Sequence, residues 1–506
     1  MRHLTVFFMC ILALAVGFAV EDDLSMEGFL PANTTVFVKT EPIANLIVSA
    51  KNIISLVDGK SSSEITEQIN TFKNKTGIDP LDENALRKTG LDTKRRIAFA
   101  SLPSEEPCVL LPVSNGETFG RAFVEIMLKM NDEPDKRDLY PAITSYKNHK
   151  ISQLGKDIFV AEVNKFFVVA YSGEQIRSVI DMPLQAKNTS LSQDPVYLSY
   201  LKQKNSNLKT IHAFIRGSYA SGSSFKDDFV SSIDYILLGA SIEKNKLLFQ
   251  LGASLDKKDS AVKALLDFFS TGLTNLALHD SDSQVYSFIA LNLNSLETLP
   301  DGPANRPKLL YQMLSTHVKE TYGIDFKEDF SMYSKGVFNI MVGDIIKNEN
   351  VVFMPMTDAS KSLALNRKIQ EHLKKKYEPR NLFGYENVGS FGKAAYYFGD
   401  TGIKNYVYSD QRGFYVATSI SLLNEAAKKP YITADGKKPF AIKVNDNMWG
   451  FSVIKKNTLW PLLTKQINAG SNVDMNNFMK RLGNIYMSGS RNDSFISLDT
   501  EILIEK

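Results

Sequence analysis

Two stretches of this chain follow one plan. The first reads Gly77, Ile78, Asp79, an acidic run, Gly90 and then the strand-like Ile97, Ala98, Phe99, Ala100. The second reads Gly323, Ile324, Asp325, an acidic run, Gly336 and then Val337, Phe338, Asn339, Ile340. The two glycines stand 13 positions apart in both, so the stretches superpose without a gap. That register speaks to architecture and is silent on chemistry.

The same order of elements surrounds each stretch. Upstream of the first, Val36, Phe37, Val38 read as a strand, and Ile43, Leu46, Ile47, Ala50, Ile54 and Val57 recur at helical spacing up to Gly59. Ser61 and Glu64 have the spacing of a capping box for a second helix, with Ile65, Ile69 and Phe72 inward and Gly77 as its stop. Downstream come strands over 97–102 and 108–113, an amphipathic helix over 117–130, a charged loop over 131–138, strands over 142–146, 157–163 and 166–171, and a short helix from Gly173. Around the second stretch, Val285 to Phe288, a helix over 309–322, a strand over 351–354, a helix over 359–376 and a strand over 414–419 occupy corresponding places. Ala170 and Ala417 lie 247 positions apart, as do Asn245 and Asn492, each in the turn of an alternating hairpin.

A chain of 506 residues exceeds one hydrophobic core. The expected fold class is therefore α+β, as two tandem homologous repeats, each an antiparallel sheet packed by helices. The expected domains are a signal peptide over 1–19, a first repeat over 20–256, a connecting helix over 257–279 and a second repeat over 280–506. In the connection Ser260 caps a helix with Val262, Leu265, Leu266 and Phe269 inward and Gly272 at its end, and 299–307 reads as a loop.

The first residues carry their own signal. Arg2, an apolar run over 4–16 and the small residues of Gly17, Phe18, Ala19 ahead of Glu21, Asp22, Asp23 form a secretory leader, with a cut expected at Ala19/Val20. The apolar run is shorter than the ~20 residues of a comfortable membrane span, which disfavours an uncleaved anchor. Phe8 and Met9 ahead of Cys10 do not suit a lipoprotein anchor. Cleavage leaves Cys108 alone, so no intramolecular disulfide forms, and its neighbours Val109, Leu110 and Leu111 make it a buried small hydrophobe. No later stretch reaches membrane-span length. The expected location is outside the cytoplasm, in the periplasm or at the cell surface.

Chemistry-bearing motifs are sparse. Basic and acidic residues nearly balance, 59 against 56, so nucleic acid is not an implied partner. Gly59, Lys60, Ser61 ends like a phosphate loop, but Ile54 stands where its first glycine belongs. Ser-x-x-Lys pairs occur at Ser223/Lys226, Ser260/Lys263 and Ser452/Lys455, at the frequency a Ser- and Lys-rich chain gives by chance. His149, His212, His279, His317 and His372 are too far apart for a zinc motif, and His279, Asp280, Asp282 lacks the glycine and distal glutamate of a calcium loop. Catalytic, cofactor-binding and metal-binding residues are thus none, and no cofactor is implied. The lysines 374–376 suit a helix C-terminus, while Lys428, Lys429, Lys437 and Lys438 could meet an anionic envelope surface. Asn33, Asn74, Asn188 and Asn492 stand in Asn-x-Ser/Thr sequences. Tyr396, Tyr397, Phe398, Tyr406, Tyr408, Phe414 and Tyr415 fall in successive strands, as core partners or as the lining of a cavity between sheet and helices.

The leader, the Leu30, Pro31, Ala32 lead-in to the first strand and the Gly77, Ile78, Asp79, Pro80 stretch resemble a family of exported bacterial proteins of unknown function. The resemblance implies tandem α+β repeats and a periplasmic or outer-surface location, and brings no catalytic residues with it. The second copy departs by placing Phe326 where Pro80 stood. The leading expectation is a non-enzymatic envelope protein that binds a lipid or other hydrophobic ligand, or an envelope protein partner. An exported hydrolase with dispersed carboxylates would need converging acidic side chains in a cleft, and a self-assembling surface protein would need open sheet edges.

Overall fold

The computed structural model describes residues 26–56, 60–102, 107–130, 142–155, 157–184, 190–204, 208–218, 232–243, 245–258, 260–269, 285–292, 294–297, 306–331, 337–344, 347–355, 358–399, 402–428, 447–456 and 481–505. The chain forms two compact units, one from residues 1–254 with 466–482 and 501–506, the other from 255–465 with 483–500. Both are α+β and built on antiparallel sheet.

The first unit contains β1 (Val36–Pro42), β2 (Arg96–Ser101), β3 (Pro107–Pro112), β4 (Ala142–Tyr146), β5 (His149–Leu154), β6 (Ile158–Val163), β7 (Phe166–Ala170), β8 (Ile211–Arg216), β9 (Ile233–Glu243) and β10 (Lys246–Leu255). Neighbours run β4, β5, β6, β7, β3, β2, β1, β8, β9, antiparallel throughout, and β10 adjoins β9. Its helices are α1 (Ile43–Leu56), α2 (Lys60–Thr76), α3 (Glu83–Lys88), α4 (Gly116–Met130), α5 (Gly173–Asp181) and α6 (Pro195–Gln203).

Strand alternation sends side chains to two faces. Phe167 of β7 meets Phe119 and Phe123 of α4, with ring centroids 5.0 and 5.4 Å apart, whereas the adjacent Phe166 turns to Phe29. On β1, Phe37 packs edge-on against Tyr197 of α6. The helices α1 and α4 thus cover one face, and residues 26–30 with α6 cover part of the other. Lys39 and the hydroxyl of Tyr197 both bond Glu27 there, at 3.0 and 2.9 Å, which pins the start of the described chain to the sheet.

The second unit contains β11 (Val285–Ala290), β12 (Val337–Asp344), β13 (Glu349–Pro355), β14 (Phe383–Asn387), β15 (Lys393–Phe398), β16 (Lys404–Ser409), β17 (Gly413–Ala417), β18 (Met448–Ile454), all of β19 (Leu482–Asn492) but Leu482, and residues 495–500 of β20 (Phe495–Ile504). Neighbours run β14, β15, β16, β17, β13, β12, β11, β18, β19, again antiparallel, and β20 adjoins β19. Its helices are α7 (Ser260–Phe268), α8 (Asn294–Glu297), α9 (Arg306–Tyr322), α10 (Ala359–Tyr377) and α11 (Ile420–Lys428). Lys374, Lys375 and Lys376 sit in the last turn of α10, where the helix dipole favours them. The aromatics of successive strands are core and cross-strand partners: Tyr396 faces Tyr406, Tyr408 faces Tyr415, and Tyr415 lies 4.5 Å from Phe353.

Several expectations change in detail. The strand β5, whose polar His149, Lys150, Ser152 and Gln153 hide its period, intervenes between two that the sequence makes plain. Pro307 opens α9, where a missing N–H costs nothing, and does not extend the preceding loop. The helix α7 stops at Phe268, and Phe269 makes a bridge to Leu291. Asn492 ends β19, and Asp493, at φ +56°, makes the turn. The loop 131–138, Gly59, Gly272, Gly336, Ser223, Lys226, the His279, Asp280, Asp282 cluster, Asn188, Lys429, Lys437 and Lys438 lie outside the described residues.

Candidate functional site

In the first unit, an apolar cavity of about 80 Å³ lies between the sheet and its helices. Each element reaches it by its own periodicity. From α1 come Ile43, Leu46 and Ile47; from α4 come Phe119, Phe123 and Ile126, all at 9% exposure or less. Ile97 of β2 and Leu111 of β3 form the floor, and Phe72 of α2 closes one side. The remaining wall is the Gly77 to Leu91 stretch, which supplies Ile78, Pro80, Leu81, Leu86, Thr89 and Leu91.

That stretch is shaped by its own local bonds. Gly77, at φ +79°, ends α2 with its N–H on the carbonyl of Lys73, 2.7 Å away, as a left-handed C-terminal residue does. Asp79 Oδ1 accepts the N–H of Leu81 at 2.9 Å, an Asx turn that aims Ile78 and Leu81 inward. Its Oδ2 accepts from Lys73 at 2.9 Å, and that bond holds the Asp79 carboxyl below the usual carboxylate range. Asp82 caps α3 through the N–H of Asn84. Gly90, at φ +93°, lets the stretch close onto α4: a Cβ there would stand 2.5 Å from the carbonyl of Asn115. Thr89 is the single polar lining residue, and its hydroxyl is satisfied by the carbonyl of Leu86 at 2.6 Å. The cavity therefore presents no polar atom in need of water.

In the second unit the corresponding stretch has the same turn with different contents. Gly323 ends α9 with its N–H on Lys319, and Asp325 Oδ1 accepts from the N–H groups of Lys327 and Glu328. Those bonds, Glu328 foremost, hold the Asp325 carboxyl low. Phe326, in the place of Pro80, is buried against Tyr311, with centroids 6.0 Å apart, in a cluster that includes Tyr377 and Tyr397. Rings fill the space beside this turn.

No protein-family model and no curated protein match the chain. Among solved structures, crystal form I of TP0453 aligns at TM-score 0.26 and 12% identity over 46% of this chain and 80% of that one. Crystal form IV aligns at TM-score 0.27 and 11% identity over 48% and 86%. Likenesses this slight transfer neither fold nor activity.

Other chemistry does not converge. Among the described residues no group of three His, Cys, Asp or Glu side chains could hold a metal ion, and no helix is long and apolar enough to cross a membrane. Burial pushes the Cys108 thiol up to about 12, which leaves it protonated and inert. Lys263 is exposed on α7 and so lacks the desolvation that would activate Ser260. Ser452 lies within β18 and Lys455 just beyond its end, so no helical turn brings the pair together. His149 bonds the carbonyl of Glu162, and burial holds His212 down to about 3.

The group that sequence reasoning missed is Glu41. It is fully buried at the irregular end of β1, where Thr40 bonds Ile97 and the Glu41 N–H bonds the carbonyl of Thr210. Neither carboxyl oxygen has a hydrogen-bond partner among the described residues. Burial drives its pKa up to about 9 despite the charges of Arg96 and Lys209. A signal was present, since Glu41 follows an apolar strand and precedes Pro42 and Ile43, but acidic residues at strand ends are usually solvated.

Proposed function

We propose that this protein binds a hydrophobic ligand in the cavity of its first unit and works outside the cytoplasm without catalysing a reaction. One observation carries the reading: fourteen of the fifteen lining residues are apolar, and the fifteenth is internally satisfied. A volume of 80 Å³ has room for about three methylene-sized groups, each taking roughly the 30 Å³ share of a water. Burying that much alkyl chain is worth about 2 kcal/mol before the cost of association. The secretory leader read from the sequence supports an envelope location, where such ligands abound.

The reading extends to the origin of the site. The units are read as two copies of one ancestral pattern: among the described residues the strands run in the same relative order in each, with the Gly-Ile-Asp turn after the corresponding helix. After duplication the first copy kept an open space beside its turn, and in the second Phe326 and its neighbours occupy the matching place. Ligand binding is then a property of the first unit.

The test uses a fluorescent acyl probe with the full mature chain. The expected result is saturable binding at one site per chain, abolished by Leu86→Trp, which puts a large ring into the cavity at a half-buried position. Undiminished binding by a folded Leu86→Trp variant would overturn the assignment.

A further inference from the structure

The helix layer of the second unit is apolar on the side that faces away from its core as well as on the side that faces in. α9 turns Tyr311 inward, with Val318 and Tyr322 packed beside it. On its other side Leu309, Met313 and Leu314 are 50, 62 and 41% exposed. Leu309 and Met313 stand one helical turn apart and so share a face, which Leu314 adjoins. Single apolar side chains on a surface need no explanation, but three within two turns of one helix make a patch that water disfavours. α2, which precedes the Gly-Ile-Asp turn of the first unit as α9 precedes that of the second, exposes no large apolar side chain among its described residues.

α10 lies beside α9 over the same core. Leu365, Ile369, Leu373 and Tyr377 join Tyr311 in one cluster, and Lys376 Nζ donates to the carbonyl of Glu320 at 2.8 Å. Exposed along α10 are Lys361, Arg367, Lys368, Lys374, Lys375 and Lys376, against one acid, Glu371. Part of that charge is neutralised within the unit: Lys368 pairs with Asp329, and Lys374 lies 3.8 Å from Glu378. Arg367, Lys375 and Lys376 reach no carboxylate within ion-pair distance among the described residues. The helix dipole accounts for the lysines of the last turn but not for Arg367. α4, which follows β3 as α10 follows β13, instead balances Arg121 and Lys129 with Glu117 and Glu125 one turn away.

We propose that the outer face of α9 and α10 docks on an anionic lipid surface, with Leu309, Met313 and Leu314 entering the boundary between headgroups and acyl chains and Arg367, Lys375 and Lys376 meeting the headgroup phosphates. No described helix is long and apolar enough to cross a membrane, so the contact is interfacial. Charge complementarity selects this occupant: the unpaired charge is of one sign, and basic side chains near an anionic leaflet are attracted to it individually. A protein interface has a centre rich in aromatic rings, whereas this patch consists of flexible aliphatic chains. The assignment stands apart from the cavity of the first unit.

The experiment is co-sedimentation of the full mature chain with vesicles of phosphatidylcholine alone and of phosphatidylcholine with phosphatidylglycerol in equal parts. Partition onto the anionic vesicles is expected to exceed that onto the neutral ones by about tenfold or more and to fall as salt screens the charges. Met313→Ser and Lys375→Glu should each lower it at least threefold. Ile143→Ser, at a side chain 61% exposed in the first unit, and Lys88→Glu, an equal charge change at another exposed site, should leave it unaltered. Circular dichroism establishes that the variants fold. An environment-sensitive fluorophore on Met313→Cys should brighten with the anionic vesicles, and the buried Cys108 takes no label. Failure to bind either vesicle, equal binding to both, binding undiminished in Met313→Ser and Lys375→Glu, or a fluorophore that stays dark overturns the docking surface.

Discussion

Lys73 Nζ stands 2.9 Å from Asp79 Oδ2, so the last turn of α2 is tied to the Asx turn that follows its glycine stop. The pair closes the wall of the cavity from outside. Lys73 is about half exposed and Asp79 about a third, so the energy of the bond is modest, and its value lies in fixing where Ile78 and Leu81 point.

Asp79→Asn keeps an acceptor for the N–H of Leu81 and removes the charge. A loss of about 0.5 kcal/mol at neutral pH is expected, the scale of an exposed ion pair. Since Asp79 titrates low in the folded state, its contribution is present above the unfolded carboxylate pKa and is lost as pH falls through the folded value. Urea midpoints of the two proteins should differ at pH 7 and converge in acid. A gap that persists at pH 2 would mean that the charge is irrelevant.

Glu41 carries the opposite sign. Its folded pKa, about 9, lies above the ordinary value of 4.5, so the folded state holds a proton that the unfolded chain has lost. Stability is undiminished below pH 4.5 and falls as pH rises from there to about 9. By pH 7 the deficit is about 3 kcal/mol, from 1.36 kcal/mol per unit. Glu41→Gln abolishes this titration, so its unfolding midpoint should exceed that of the wild type at pH 8 and the difference should shrink toward pH 5. A difference independent of pH would show that the carboxyl ionises elsewhere.

Gly90→Ala and Gly402→Ala separate space from conformation. Both glycines have positive φ, +93° and +73°, yet a Cβ at Gly402 meets nothing within 4 Å, while at Gly90 it meets backbone at 2.5 and 2.8 Å. The Gly402 change should cost about 1 kcal/mol, the ordinary penalty for a left-handed alanine. The Gly90 change should cost more than twice that in thermal unfolding, because the wall at Asn115 and Phe119 must move. Equal losses would refute the close approach.

Much of this was legible in the chain. Gly77, Gly90 and Gly323 mark turns, and the apolar periods of Ile43 to Ala50 and Phe119 to Ile126 mark the helices that wall the cavity. The cavity itself was not legible, because Ile47, Leu81 and Phe123 are the same residue types a filled core uses, and whether they meet depends on distances between elements. Glu41 was hidden for a related reason: a local sequence gives a carboxylate's neighbours along one strand, but Arg96 and Thr210 approach it from other strands. β5 escaped because four polar residues mask its alternation.

The last expectation joins stability to the proposed ligand. Phe123 is 2% exposed, with its ring 6.0 Å from Phe119 and 5.4 Å from Phe167. Phe123→Ala removes both contacts and enlarges the cavity, and a loss of about 4 kcal/mol is expected, whereas Phe391→Ala, at a side chain 44% exposed, should change stability by less than about 1 kcal/mol. The enlarged space changes what the ligand can return. A ligand that binds only the folded state stabilises it by RT ln(1 + [L]/Kd), so a longer acyl chain should raise the urea midpoint of Phe123→Ala more than that of the wild type. If the longer chain stabilises both proteins equally, or neither, Phe123 does not face the bound chain.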